Sequence, residues 1–471
     1  MTDVSFLPRD TAAFRLSLPE CVERHPLRQA VTLAVRAALD AVNPAVCIHR
    51  YVQLDGDCLV VGDLRLKLSD IGRIRAVGGG KAAVPMAVAL HSILEDRIEC
   101  GCFAVPAGCL TATMGKRENI PMPAPIEIHE AAHPYPDESC VRAASAVLEK
   151  AQGLCRDDLL IVLISGGASS MLTLPAPGLF LADVKAVTSM LLLSGADIES
   201  VNIVRKHLSA FSGGRLARAA RPSKVAALIL SDVVGDSIAT IGSGPTAPDP
   251  STYQDALMRL ERFGVKDRAP RAIVSHLRDG EQGLIPETPK PDDPLFQAVF
   301  NMVIGGNRTA QDAAVVELIR HGIVAKAHPS PVIGEARTAG ETIAAIIRQE
   351  KNRGPRGCAS CMVFGGETTV SVQGSGKGGR NQELALAAAV ALEGVPDVLV
   401  LTLATDGKDG PTDAAGAAVT GETLKRAQDL GLNATQHLGE NNSHAFFNSL
   451  SDLLVTGPTE TNAADLTFAF Y

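Results

Sequence analysis

Tryptophan is absent, and aromatic residues make up only 4% of the 471. A protein that stacks single-stranded bases needs aromatic platforms, so that class is disfavoured. An excess of basic charge is missing as well. The formal net charge is -8, whereas a phosphate-backbone binder carries a basic face. Nucleic acid is therefore not an expected partner. No apolar run reaches the roughly 18–20 residues of a membrane span. The start, Met-Thr-Asp-Val-Ser-Phe-Leu-Pro-Arg-Asp, lacks the basic region and apolar stretch of a signal peptide. The expectation is a cytoplasmic protein with no membrane partner. A disulfide framework is also lacking, since the ten cysteines are scattered along the chain. The one tight pair, Cys358-Ala-Ser-Cys361, has no second pair or histidines at ligand spacing and reads as structural.

What is present is a globular composition, 46% hydrophobic and 20% charged, on a chain too long for one ordinary core. Two domains follow. Residues 22–45 have helix-like apolar spacing, and Val46 to Lys67 holds short β-rich pieces. A pattern of apolar strand, Gly/Ser/Asp loop and helix then recurs. Its strands are Ile74-Arg-Ala-Val77, Leu159-Leu-Ile-Val-Leu-Ile164 and Ala226-Ala-Leu-Ile-Leu230. Continuous apolar strands alternating with helices predict a parallel sheet covered on both faces. Ligands of such sheets gather at the carboxyl ends of the strands. The unpatterned stretch Asp279 to Pro294 reads as a linker or long surface loop, and gives domains at 20–280 and 295–471. Beyond it, Met362 to Val372 resembles a strand pair bent at glycine, and Arg380 to Leu392 is a strong helix.

Five loops could carry chemistry. Gly78-Gly-Gly-Lys81 precedes a helix with Pro85 in its first turn, so free N–H groups, the helix dipole and Lys81 would suit an anion. Gly78, Gly80 and Ala83 partly match a dinucleotide fingerprint, but Glu99 lies before the candidate strand Cys102-Phe-Ala-Val105, not at its end. Ser165-Gly-Gly-Ala-Ser-Ser170 is a second anion cradle, and it lacks the G-x-S-x-G pattern of a hydrolase elbow. Ser231-Asp-Val-Val-Gly-Asp236 and Thr405-Asp-Gly-Lys-Asp-Gly-Pro-Thr-Asp413 place carboxylates after strands, where a kinase needs Mg²⁺ ligands and a proton acceptor. Gly374-Ser-Gly-Lys-Gly-Gly-Arg-Asn-Gln-Glu383 joins glycines, Arg380 and a helix start, a set suited to a phosphoryl or carboxylate group. Asn202-Ile-Val-Arg-Lys-His-Leu-Ser209, by contrast, reads as a solvated face or helix end, and Asn441-Asn-Ser-His444 as a polar turn.

Taken in order with Ser243-Gly-Pro-Thr246, Gly365-Gly-Glu-Thr-Thr-Val370 and Thr456-Gly-Pro-Thr459, these segments resemble the glycerate 2-kinase family, the type with a C-terminal MOFRL domain. The resemblance implies a Rossmann-like parallel-sheet N-terminal domain, a smaller C-terminal α/β domain and an active site in the cleft between them. It implies ATP and D-glycerate as small-molecule substrates, Mg²⁺ as the accompanying ion, and 2-phosphoglycerate as product. Carried over by motif, Lys81, Asp232 and Arg380 would be catalytic, with Asp232 also the candidate Mg²⁺ ligand. Nucleotide or phosphate contacts are expected at Gly78, Gly79, Gly80, Ser165, Gly166, Gly167, Ser169, Gly376, Gly378 and Gly379. Asp236, Glu383, Asp406 and Asp409 are further substrate or Mg²⁺ candidates. Two positions depart from the family pattern: Ser212 where lysine is usual, and Glu460 where glycine is usual. The competing readings are an NAD(P)H-dependent hydroxypyruvate reductase and a non-catalytic sensor of small phosphorylated acids. Assembly stays open, with a homodimer as one option.

Overall fold

Leu159–Ile164 is buried at every position, as its unbroken apolar run requires of a strand covered on both faces. The computed structural model describes residues 16–109, 126–353 and 359–471, so Cys358 lies outside the described residues. The chain forms two units, Cys47–Ile304 and Met1–Val46 with Gly305–Tyr471.

In the Cys47–Ile304 unit, strands β1 (Val52–Asp55), β2 (Cys58–Val61) and β3 (Leu64–Lys67) make a small antiparallel sheet. The main sheet contains β4 (Ile74–Gly79), β5 (Ile98–Pro106), β6 (Ile126–Ala131), β7 (Leu159–Ile164), β8 (Lys224–Leu230) and β9 (Val299–Gly305). Their order is β6-β5-β4-β7-β8-β9, and the pairings from β6 through β8 are parallel. With β4 as the first strand, that is the doubly wound order of a Rossmann sheet, as expected. The order reverses between β4 and β7, and in such sheets ligands bind at the carboxyl ends of the strands at that switch point. The helix Glu138–Ala151 buries Cys140, Ala143, Ala144 and Val147 against one face. At roughly 25 cal/mol per Å² of apolar area removed from water, such contacts dominate the unit's stability.

The other unit is built on a mixed sheet of β10 (Val324–Ala327), β11 (Val332–Glu335), β12 (Ser360–Thr369), β13 (Leu399–Ala404), β14 (Gly416–Thr420), β15 (Leu453–Leu454) and β16 (Asp465–Phe470). The order is β10-β12-β16-β13-β14-β15, and β11 also pairs with β12. The segment expected to be a strand pair bent at glycine is one strand, β12. Gly366 serves close approach: a Cβ there would lie 2.0 Å from the Val332 carbonyl oxygen of β11.

The domain boundaries also differ from the sequence expectation. Residues 20–46 join the second unit, and the break lies at Ile304, not between 280 and 295. The helix Arg28–Ala41 directs Val31, Ala34, Val35 and Ala38 onto Ala310 and Leu318 of the helix Asn307–Arg320 and onto Leu401 and Phe468 of the sheet. The stretch near Asp279–Pro294 is a loop fastened within its own unit, where Glu287 accepts from His207 Nε2 at 3.1 Å and Tyr253 N at 3.2 Å. Among the described residues no single helix is long and apolar enough to cross a membrane.

Candidate active site at the carboxyl ends of the parallel strands

At the switch point, Gly78 and Gly80 have φ +150° and +131°. A Cβ on Gly78 would meet the Leu163 carbonyl oxygen at 1.9 Å, and one on Gly80 would meet Ser165 Oγ at 2.2 Å. The free N–H groups expected at this loop are already engaged. Gly80 N donates to Ala104 O at 3.0 Å, Lys81 N to Gly166 O at 2.9 Å, and Ala82 N to Ser165 Oγ at 3.0 Å. Gly78, Gly79 and Gly80 thus fasten β4 between its neighbours. The positive charge comes from the exposed side chain of Lys81. That charge reaches His133, past the end of β6. Partial burial, with Lys81 adding to it, lowers the His133 pKa below the ordinary imidazole value.

The loop after β7 lies against the loop after β4. Ser165 N donates to Gly79 O at 3.1 Å, whereas the amides of Gly166, Gly167 and Ser169 have no acceptor among the described residues. Three N–H groups left open at a strand end form a concave donor set of the kind that holds phosphate. Ser169 Oγ accepts from Ser243 Oγ at 3.1 Å, and the Ser169 carbonyl oxygen accepts from Arg205 Nη2 at 2.9 Å. The segment containing Arg205 is no solvated face. In the helix Ile198–His207, Val201, Val204, Lys206 and His207 are all buried. After β8, Asp232 is partly buried, and Asp236 has φ +52°. The Asp236 Oδ1 atom is buried with no hydrogen-bond partner among the described residues.

Arg380 opens the helix Arg380–Ala391 in the other unit. Its Nη2 reaches Asp465 Oδ1 at 2.9 Å, and its Nη1 reaches Glu367 Oε1 at 2.8 Å. Against the effect of burial, Asp465 holds the Arg380 pKa above its ordinary value. The glycine loop before it is laid along the turn at Glu440–Ser443. Gln373 N and Gly374 N donate to Asn441 Oδ1 at 2.7 and 3.0 Å, and Gly376 N donates to Glu440 O at 2.9 Å. A Cβ on Gly376, Gly378 or Gly379 would lie within 2.4 Å of Asn442 Cβ, Ser443 Oγ or Asp409 Cγ respectively. Asn441 and Asn442, which carry no chemical motif, are what shape this loop.

Two carboxylates expected as substrate or Mg²⁺ candidates are engaged by protein donors. Glu383 is 1% exposed and bonds Arg337 Nε at 2.7 Å and Asn441 Nδ2 at 3.1 Å. Both oxygens of Asp409 accept from the start of the Arg380 helix. Asp406 is partly buried, and its Oδ1 accepts from Lys408 N at 3.0 Å. Cys102, Glu127 and His129 approach within 4.8 Å of one another, but Lys150 holds Glu127 at 2.8 Å and burial pushes the Cys102 thiol up to about 12. That group is an ion pair beside an inert thiol.

A nicotinamide reading fails at β5. Its acidic residue, Glu99, sits at the wrong end of the strand and pairs with Arg75 at 2.7 Å, while Val105 to Cys109 carries no acid to hold a ribose. Among known families, the MOFRL family matches residues 360–465, and a family described as a domain of unknown function (DUF4147) matches residues 30–278. The chain is 40% identical over 400 residues to the D-glycerate 2-kinase of Thermotoga maritima, covering 84% of this chain and 90% of that protein. It is a member of the glycerate 2-kinase family. A crystal structure of glycerate kinase from Thermotoga maritima superposes with a TM-score of 0.81 at 37% identity, covering 94% of this chain and 99% of that one. An Agrobacterium vitis member named "Putative hydroxypyruvate reductase" is 39% identical over 404 residues, covering 84% of this chain and 86% of that protein.

Within this glycerate 2-kinase family member, the departure at Glu460 has a local consequence. Its φ is +61°, a region that glycine enters without strain and a Cβ-bearing residue does not. Glu460→Gly is expected to raise unfolding free energy by about 1 kcal/mol, the relief of about 1–3 kcal/mol of backbone strain less about 0.4–1 kcal/mol for the freer unfolded chain, measured by chemical denaturation. A loss of stability would mean that contacts of the glutamate outweigh its backbone strain. Ser212, the other departure, is buried, and its N–H donates to Ser209 Oγ at 3.0 Å.

Proposed function

We propose that the chain transfers the γ-phosphoryl group of ATP to the 2-hydroxyl of D-glycerate, giving 2-phosphoglycerate and ADP. One observation supports this most directly: Lys81 stands beside the open amides of Gly166, Gly167 and Ser169 at the switch point of a doubly wound sheet. A phosphoryl group in flight spreads negative charge over its oxygens, and fixed donors with one cation stabilise that charge without reorganising. Lys81 supplies positive charge beside it. Asp232 accepts the proton of the 2-hydroxyl or helps hold the metal.

Magnesium suits the loop after β8, because Asp232 and Asp236 offer hard carboxylate oxygens and Asp236 Oδ1 is buried without a partner among the described residues. When bound, the ion neutralises charge on the phosphate oxygens. We place the enzyme in the cytoplasm, with ATP and D-glycerate as its small-molecule partners.

The test supplies D-glycerate, ATP and Mg²⁺ and couples the product directly to enolase. An immediate signal is expected. A signal that appears only after phosphoglycerate mutase is added would reassign the phosphorylated oxygen to position 3. Consumption of NADH with hydroxypyruvate and no ATP would overturn the kinase reading.

A further inference from the structure

We propose that Arg205 anchors the carboxylate of the 2-hydroxy acid, in a subsite it forms with the hydroxyls of Ser169 and Ser243. This rests on the glycerate kinase reading and names the part of the substrate each group takes.

The first observation is an imbalance of charge. Lys206, the next residue on the same helix, faces Asp249 at 3.6 Å. Arg380 has two carboxylates, and Arg73 has Asp158 at 2.6 Å. Arg205 has none among the described residues, where its side chain makes one bond, Nη2 to the Ser169 carbonyl oxygen at 2.9 Å. Arg205 is half-buried, and that burial, with no counter-ion among the described residues, lowers its pKa, so the folded chain retains a cation in surroundings that disfavour it. An anion supplied from outside removes that penalty.

The second observation is position. Ser169 belongs to the loop whose amides are open, and Lys81 N is fastened to Gly166 O in that same loop. The Arg205 guanidinium and the Lys81 backbone therefore both fasten one short segment, and the charge of Lys81 acts on His133, which lies beside Gly167 of that segment. Lys81 is exposed. Arg205 is half-buried and bonds the carbonyl oxygen of Ser169, the residue whose hydroxyl pairs with that of Ser243. A flat five-donor fork matches the two coplanar oxygens of a carboxylate. A hydroxyl pair alongside it matches a short acid that carries hydroxyls of its own. An ammonium backed by amides suits the transferring phosphoryl group. The division of labour follows from the shapes: carboxylate on Arg205, phosphoryl on Lys81.

The third observation is sequence context. Arg205 lies between buried Val204 and buried Lys206, with Val201, Ile203 and Leu208 also buried. A cation placed there for solubility alone would be on the other face of the helix.

The experiment compares wild type with Arg205→Met and Arg205→Lys. Unliganded melting confirms that each variant folds; the lysine variant, which keeps the charge, stands in if the methionine variant does not. KM for D-glycerate is expected to rise about 100-fold in Arg205→Met and about 10-fold in Arg205→Lys, with KM for ATP within about twofold. Glyceramide, in which a neutral amide replaces the carboxylate, is bound in parallel by calorimetry. Wild type should prefer glycerate strongly, and Arg205→Met should lose that preference. A rise in KM for ATP with KM for glycerate unchanged would make Arg205 a phosphate ligand and overturn the proposal. A fall in melting temperature alone would make it a tie between helix and loop, and would overturn the proposal as well. Absence of glycerate turnover in wild type would instead overturn the kinase reading. The acid-over-amide preference, measured with other short 2-hydroxy acids, still decides the role of Arg205 in that case.

Discussion

Lys81→Met is expected to lower kcat for D-glycerate phosphorylation by about 100- to 1,000-fold, with the melting temperature nearly unchanged. Lys81 is exposed, and exposed substitutions generally change stability by no more than about 0.5 kcal/mol. Its backbone N–H, which fastens β4 to the β7 loop, is retained by any residue but proline. Only the ammonium is lost. One fixed donor that meets charge as it develops in the transition state accounts for a loss of that size. Lys81→Arg should recover little, because a planar fork does not occupy the place of a point charge. A second readout is independent of turnover. Lys81 is one cause of the lowered His133 pKa, after burial, so the imidazole of the variant should titrate at higher pH, though still below the ordinary value. NMR titration of the ring protons measures this. Near-normal turnover would remove Lys81 from the chemistry. An unmoved His133 titration would mean that the ammonium does not face the ring.

The legible and illegible parts of this molecule divide along a physical line. Short apolar runs followed by glycine, serine and aspartate are local signals, and β4, β7 and β8 lie where those signals place them. The switch point between β4 and β7 then follows from the rule for parallel sheets. Long-range hydrogen bonding leaves no such trace. That Ala104 and Gly166 take the amides of Gly80 and Lys81, or that Asn441 takes those of Gln373 and Gly374 from 68 and 67 residues away, is a property of the folded backbone. In sequence the glycines therefore read as phosphate cradles, whereas several are points of close approach. The helix Arg28–Ala41 falls to the nearer domain in such a reading, because its apolar stripe says that it packs, and not against what. Arg205 does leave a signal: three basic residues directly follow Val201, Ile203 and Val204 in a stretch too apolar for a solvated face. His133, known only by the charge that reaches it, leaves none.

Asp409→Ala is expected to cost about 3 kcal/mol of unfolding free energy and to loosen the start of the Arg380 helix. That helix has Gly379 at its N-cap, which offers no side chain to its first N–H groups. Asp409 supplies the cap from 28 residues away. Its Oδ1 accepts from Asn381 N at 3.0 Å, and its Oδ2 from Gln382 N and Gln382 Nε2, each at 2.9 Å. Losing a cap costs about 1 kcal/mol, and each buried donor left unpaired costs about 1–3 kcal/mol more. The cost of burying the carboxylate, recovered on its removal, offsets part of the sum. Asp409→Asn keeps one acceptor and should lose less. The two carboxyl states also predict a pH effect with a definite sign. Burial, opposed by the helix N–H groups, pushes the Asp409 pKa up to about 6, against about 3.9 in an unfolded chain. Between those values the native protein holds a proton that the unfolded chain has released, so the associated stability is complete below about pH 4 and gone above about pH 6. The advantage of wild type over Asp409→Asn should therefore shrink by about 2 kcal/mol between pH 4.5 and pH 7.5, in urea titrations at each pH. An advantage that holds constant or grows with pH would mean that the carboxylate is ionised throughout. The helix carrying Arg380 would then start on a permanent buried charge.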